Sequence, residues 1–397
     1  MTEAEPVDGT RVEDADRAAR AGRFLRGRRW YHVAAGALYL SGCAGAVLVA
    51  VFYRRPVTGP GLFYTAAVPP FVPLLGLGGM MAAGVVGVRR RWLLAGAVVW
   101  LAAVGVSEEV LHLLRPSRRG ARARFAQARE AFRAEAGDGA LGPALVPLRV
   151  VSWNVRSATW MEQEGITELA ALEADLIFLQ QSHAKMRRML EESGLFEDYE
   201  TDGGSRAVLS RFPVERLPVG PLEHWRGGVW RVEVAPGRWV VCVNVHLYRD
   251  ILRPYRLRRP HPESIAEALE GTQRRLDGLR GTLDRYGGAD AVLLVGDFNL
   301  PARYPPLRRV TEGLKNAFSV AGYGWGRTVP SRLPVLRIDH VYVPRAATVW
   351  YAAAVPTQYS DHSMVLAEVA VPTEYSDRNS VPAQVPGRQP VPAGEGE

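Results

Sequence analysis

Two long stretches without Lys, Arg, Asp or Glu occupy much of the first quarter of the chain, Trp30–Tyr53 and Leu62–Val88. Each exceeds the roughly 20 residues a helix needs to cross a bilayer core. Trp30, Tyr31, Phe52 and Tyr53 stand at the ends of the first, as an aromatic belt would. Pro69, Pro70 and Pro73 interrupt the second, so its helix starts near Pro70 or kinks there. A third apolar run, Trp92–Val106, continues toward Leu114 and puts Glu108 and Glu109 at an interface. The pattern predicts membrane spans at 30–53, 66–88 and 92–112; the third also fits a buried soluble helix.

After residue 147 the periodicity changes. Short β-branched runs predict strands at Leu148–Ser152, Asp175–Leu179, Ala207–Ser210, Val229–Val234, Trp239–Val245, Ala291–Val295, Ile338–Val343 and Ser363–Val369. Pro236-Gly237 predicts a hairpin between the fourth and fifth. Helical spacing covers Glu162–Glu173 and Glu263–Tyr286. Many strands with few helices over 148–371 predict an α/β domain of two packed sheets with helices outside.

The flanks differ again. Residues 1–29 run from acidic to arginine-rich, a polar tail ending at a membrane surface. Residues 115–147 form a basic linker whose Arg118–Glu135 part is a helix, either lying on anionic lipid or solvated. Residues 372–397 are rich in Pro, Gly and polar residues and predict a disordered tail. Arginines on the two sides of the spans nearly balance, so charge does not fix the orientation.

Composition adds little. The 397 residues are 47% hydrophobic, enough for a core, and the net charge of +8 suits phosphate-rich partners without choosing among nucleic acid, lipid head groups and pyrophosphates. Cys43 and Cys242 sit in apolar runs and read as inert buried thiols. Nothing here speaks to oligomeric state.

Chemistry is carried by polar clusters at the ends of the apolar strands: Ser152-Trp153-Asn154-Val155, Asn244-Val245-His246-Leu247, Gly296-Asp297-Phe298-Asn299 and Ser360-Asp361-His362-Ser363. Phosphate-ester hydrolysis needs a cation, a positioned water, a base and groups that neutralise phosphoryl charge. Asp297 can take a proton from water. Asn299, on the same side, can donate to a phosphoryl oxygen. Asp339 can fix the tautomer of His362. His246 can contact phosphate or protonate a leaving group. Asn154 and Asp361 offer oxygen ligands to Mg²⁺ or Mn²⁺. Each signal is weak singly; their joint order is what points to a site.

The set resembles the endonuclease/exonuclease/phosphatase superfamily, on Asn154, Asp175-Leu-Ile-Phe-Leu-Gln180-Gln181, Leu209-Ser-Arg211-Phe-Pro-Val, Asn244-Val-His246, Asp297-Phe-Asn299, Ile338-Asp339-His340 and Asp361-His362. The resemblance covers 148–371 and implies a DNase I-like four-layer α/β sandwich. It implies Asn154 and Asp361 at a metal, Asp297, Asn299, His246 and His362 around the scissile phosphate, and Asp339 paired with His362. One position departs: the family has Glu as main metal ligand where this chain has Gln181, whose amide oxygen can ligate without the charge.

The spans together with this domain look like membrane-anchored members from Gram-positive bacteria, including teicoplanin-resistance proteins. That likeness implies a multi-pass cell-membrane protein with its catalytic domain outside the cell and a lipid phosphate or pyrophosphate as substrate. Two other readings stay open. The basic segment Arg249, Arg253, Arg256, Arg258 and Arg259 suits an extracytoplasmic nuclease. Gln181 suits a phosphate-binding pseudoenzyme; an active site that compensates for it would recruit another carboxylate, such as Glu162 or Glu164, to the metal.

Overall fold

The computed structural model describes residues 118–137, 145–156, 163–196, 198–201, 205–219, 227–248, 262–286, 292–332 and 336–375, with residues 37, 39–40, 44, 94–98, 112 and 115 standing apart. Most of the expected spans, the arginines of 249–259 and most of the tail lie outside these residues. Among the described residues, no helix is long and apolar enough to cross a membrane.

In chain order the strands are β1 (Leu145–Asn154), β2 (Leu176–Gln180), β3 (Asp198–Thr201), β4 (Ala207–Ser210), β5 (Val214–Leu217), β6 (Gly227–Ala235), β7 (Arg238–His246), β8 (Val292–Asp297), β9 (Leu314–Asn316), β10 (Asp339–Pro344), β11 (Thr348–Val355), β12 (Met364–Pro372) and β13 (Glu374–Tyr375). The helices are α1 (Arg118–Gly137), α2 (Gln163–Ala171), α3 (Ala184–Glu192), α4 (Pro262–Arg285), α5 (Pro305–Val310) and α6 (Ala317–Ala321). One sheet runs β11-β12-β1-β2-β4-β3; the other runs β5-β6-β7-β8-β10-β9, with β13 on the start of β7.

Period-2 alternation divides the apolar residues among three interfaces. Val146, Leu148 and Val150 of β1 face Cys242, Leu293 and Val341 of the other sheet, so the main core lies between the sheets. Val151 and Trp153, of opposite parity, pack outward with Ile166, Leu169 and Met186 of α2 and α3. Val243 and Leu294 pack outward with Leu276, Leu279 and Leu307 of α4 and α5. Helix, sheet, sheet and helix make four layers, as the sequence predicts.

The basic helix α1 also sits on the first sheet. Ala121 and Phe125 are buried, and Phe125 meets Trp350 at 5.7 Å between ring centres. Arg122 reaches Glu368 (3.3 Å) and Arg129 reaches Asp175 (2.6 Å), while Arg149 between them bonds both acids. Seven helical residues rise about 10 Å, the span of two strand spacings. That matches the step from Glu368 on β12, across Arg149 on β1, to Asp175 before β2. Burial raises the Asp175 pKa and lowers that of Arg129, against their mutual attraction.

Candidate active site

The site follows from continuing the core stripe past the last apolar residue. On β8 the inward positions are Leu293, Val295 and then Asp297; on β10 they are Val343, Val341 and then Asp339; on β7 they are Val240, Cys242, Asn244 and then His246. Register puts His246 opposite Asp297 and Asp297 opposite Asp339, one row across three strands. On the other sheet Asn154 is opposite Gln180, and both continue inward stripes. Alternation alone thus gathers the polar residues at one end of the sandwich.

Gly296 lets β7 and β8 approach there: a Cβ at Gly296 would stand 2.1 Å from the carbonyl oxygen of Val245, and its φ is 137°. Just beyond, Asn299 adopts φ 51° and its backbone N–H donates to Asp297 Oδ1 at 2.8 Å.

Asp297 is fully buried. Asn154 Nδ2 donates to its Oδ2 at 2.8 Å, and Asn299 Nδ2 donates to the same oxygen at 3.2 Å and to the Leu247 carbonyl at 2.8 Å. Burial and neighbouring Asp339 raise the Asp297 pKa to about 6, against the pull of His362 and the two asparagines. It remains ionised at neutral pH. His362 Nδ1 lies 3.0 Å from both oxygens of Asp339. Burial works against the imidazolium, but Asp339, Asp297 and Asp361 outweigh it and raise the His362 pKa to about 9. The Nε2 atoms of His362 and His246 each lie 3.9 Å from Asp297 Oδ2. Two imidazole edges and a buried carboxylate therefore converge on one point.

The remaining expected residues stand beside this centre. Ser360 Oγ donates to the Asn154 carbonyl at 2.7 Å and accepts from the His362 backbone N–H at 3.0 Å, seating the Asp361 loop against β1. Asp361 Oδ2 pairs with the Arg156 guanidinium, whereas Asp361 Oδ1 is buried with no hydrogen-bond partner. Gln181 follows the register partner of Asn154 and turns through φ 58°. Asn154 Oδ1 accepts the Arg156 N–H at 2.9 Å, so this amide already serves the turn and the base. Asn299, expected at a phosphoryl oxygen, directs its amide at Asp297 and Leu247 because the left-handed turn folds it back.

A hard cation fits two places. The unpartnered Asp361 oxygen could ligate one, and among the expected ligands Asn154, Gln181 and Asp361 it carries the one full charge. Asp297, Asp339 and His362 bring ligand atoms within 4.8 Å of one another and could also hold an ion.

Three contributors carry no role in the sequence reading. Arg156 lies two residues past Asn154. Gln180 Nε2 donates to Asn244 Oδ1 at 2.8 Å, and Asn244 Nδ2 donates to the carbonyls of Leu179 (3.0 Å) and Ala207 (3.2 Å), bonding the sheets beneath the site. The inward parity of Gln180 and Asn244 is the signal that could have found them.

Known proteins are similar to this chain. An uncharacterized protein of Escherichia coli K12, YbhP, is 30% identical over 176 residues, 41% of this chain and 61% of YbhP. The chain thus spans about three fifths of that curated relative. Among solved structures, humanized TDP2 of D. rerio is 16% identical over 56% of this chain and 98% of its own, with a TM-score of 0.42. A mannosyl-6-phosphatase of Bacteroides thetaiotaomicron is 15% identical over 56% of this chain and 99% of its own, with a TM-score of 0.40. The sequence model of one family matches residues 151–362, more than half of the chain and every residue of the site, so the chain belongs to the endonuclease/exonuclease/phosphatase family.

Proposed function

We propose that this chain is a divalent-cation-dependent phosphoesterase, held at a membrane and acting on a lipid phosphate or pyrophosphate. The observation that carries the chemistry is the convergence of His246, Asp297 and the His362–Asp339 pair on one row. Asp297, ionised at pH 7 and fixed by Asn154 and Asn299, takes the proton of a water that attacks phosphorus. The ester P–O bond breaks as the new P–O bond forms. His362, kept charged and oriented by Asp339, stabilises the negative charge on the phosphoryl oxygens. His246 donates a proton to the departing oxygen. Mg²⁺ or Mn²⁺, when bound by Asp361 with Asn154 and Gln181, supplies Lewis-acid neutralisation of phosphoryl charge. The membrane and lipid parts rest on the uncharged stretches Trp30–Tyr53 and Leu62–Val88.

The test is a substrate panel with the full-length protein in detergent, with Mg²⁺, Mn²⁺ or EDTA. Prenyl phosphate, prenyl diphosphate, p-nitrophenyl phosphate, bis-p-nitrophenyl phosphate, plasmid and single-stranded DNA cover the alternatives. Metal-dependent release from the prenyl esters above the others supports the proposal. Preference for DNA moves the assignment to a nuclease. No turnover of any ester, restored by Gln181→Glu, identifies a binding protein whose catalysis has lapsed.

A further inference from the structure

The Asp361 loop forms one wall of a cleft of about 500 Å³ directly beside the catalytic row. Its charged lining is Arg156 and Arg332 against Asp361, which leaves one net positive charge. Arg332 is not on a loose end. Ser331 N–H donates to the Asp361 carbonyl at 2.7 Å, and Ser331 Oγ donates to the Thr357 carbonyl at 2.8 Å, so the Arg332 segment and the Asp361 loop are bonded together. Arg156 stands across from them at φ 41°, its side chain 61% exposed.

Three features bear on Arg156 together. It sits on Asp361 Oδ2; the other Asp361 oxygen is buried and unpartnered; and the neighbouring Gln181 contributes no charge. An Arg held by one carboxylate at a half-open site is easily turned, because an exposed ion pair is worth only about 1 kcal/mol or less. A divalent cation arriving at Asp361 meets that guanidinium already in place. Once displaced, the guanidinium has a cleft to enter that carries a second arginine and no second carboxylate.

We propose that Arg156 is a two-position residue: it competes with the divalent cation for Asp361, and when displaced it joins Arg332 as a ligand for a phosphate oxyanion in the cleft. The proposal rests on the phosphoesterase reading for its ligand class. It makes metal and anion binding mutually reinforcing, since each draws away what the other must displace, and such coupling is reciprocal. Arginine suits the second position because its planar fork matches phosphate oxygens in pairs.

The experiment measures binding, not turnover, on the full-length protein. Mn²⁺ affinity is read without anion by the loss of the free-ion electron spin resonance signal. Inorganic phosphate affinity is read in EDTA by calorimetry. Arg156→Ala is expected to tighten Mn²⁺ about threefold to fivefold, by removing the competitor from the cation's ligand, and to weaken phosphate about tenfold. Asp361→Asn is expected to tighten phosphate about threefold in the absence of metal, by freeing Arg156. Arg156→Gln repeats both readings should the alanine variant fail to fold. Unchanged or weaker Mn²⁺ binding in the folded Arg156 variants overturns the proposal, and so does unchanged phosphate binding. Protein that shows the expected binding pattern yet hydrolyses no ester removes the phosphoesterase reading and leaves this one standing. Hydrolysis with none of these binding changes does the reverse.

Discussion

Replacing Asp339 by Asn keeps the shape beside His362 and removes the charge. His362 stands at about 9 against an ordinary 6.5, and Asp339 leads the groups that raise it. The carboxylate is buried and meets Nδ1 with both oxygens at 3.0 Å. With it gone, burial continues to oppose the charge and only Asp297 and Asp361 still favour it, so the histidine is expected to titrate well below 9. At pH 8 a fall of about two pH units would take the charged fraction from about nine tenths to about one tenth, a loss of roughly tenfold in the active form. Long-range ¹H–¹⁵N spectra of imidazole-labelled protein read this directly, with no substrate needed. The kcat/KM profile should follow, its alkaline limb moving down by about the same amount. A His362 resonance that still titrates near 9 in the Asp339→Asn protein would refute the reasoning.

In the unmodified protein kcat/KM should rise as pH passes about 6, when Asp297 ionises, and fall as it passes about 9, when His362 loses its proton; a profile flat between pH 5 and pH 10 contradicts those proposed roles. Asn244→Leu should lower stability by about 3 kcal/mol, because Gln180 and the Leu179 and Ala207 carbonyls lose a buried partner; urea unfolding checks it, and a change below about 1 kcal/mol opposes it. Asp175→Ala should cost about 3 kcal/mol by the same assay, since Arg129 and Arg149 lose their shared acid in a buried setting; an unchanged midpoint means that α1 is not anchored there.

Much of this fold was legible in the chain because its core strands are continuous apolar runs. β8, β10 and β12 are buried along almost their whole length, and their sequences show it. Edge strands were not legible: Asp198–Thr201 and Val214–Leu217 are four residues each, mixed in polarity, and owe their form to pairing with β4 and β6. Thr348–Val355 was missed because its alanines favour helix and only pairing with β12 makes it a strand. The site was legible because its residues continue core stripes. Asn299 turned back toward Asp297 through a left-handed residue that no spacing rule reveals. The seat of α1 was hidden because charged residues hold it, and the acids they meet lie up to 246 positions away.

The central claim is that Asp297 is the base of a phosphoester-hydrolysing site. Phosphate release by the full-length protein with Mg²⁺, compared with Asp297→Asn, tests it most directly. The asparagine keeps the size and one oxygen acceptor, which serves either Asn154 or the Asn299 N–H, so the urea midpoint of the variant is read beside its rate to show that the fold stands while proton abstraction is lost. The account predicts measurable release from the unmodified protein and a fall of about a thousandfold in kcat for the variant. Equal rates from the two proteins would contradict it.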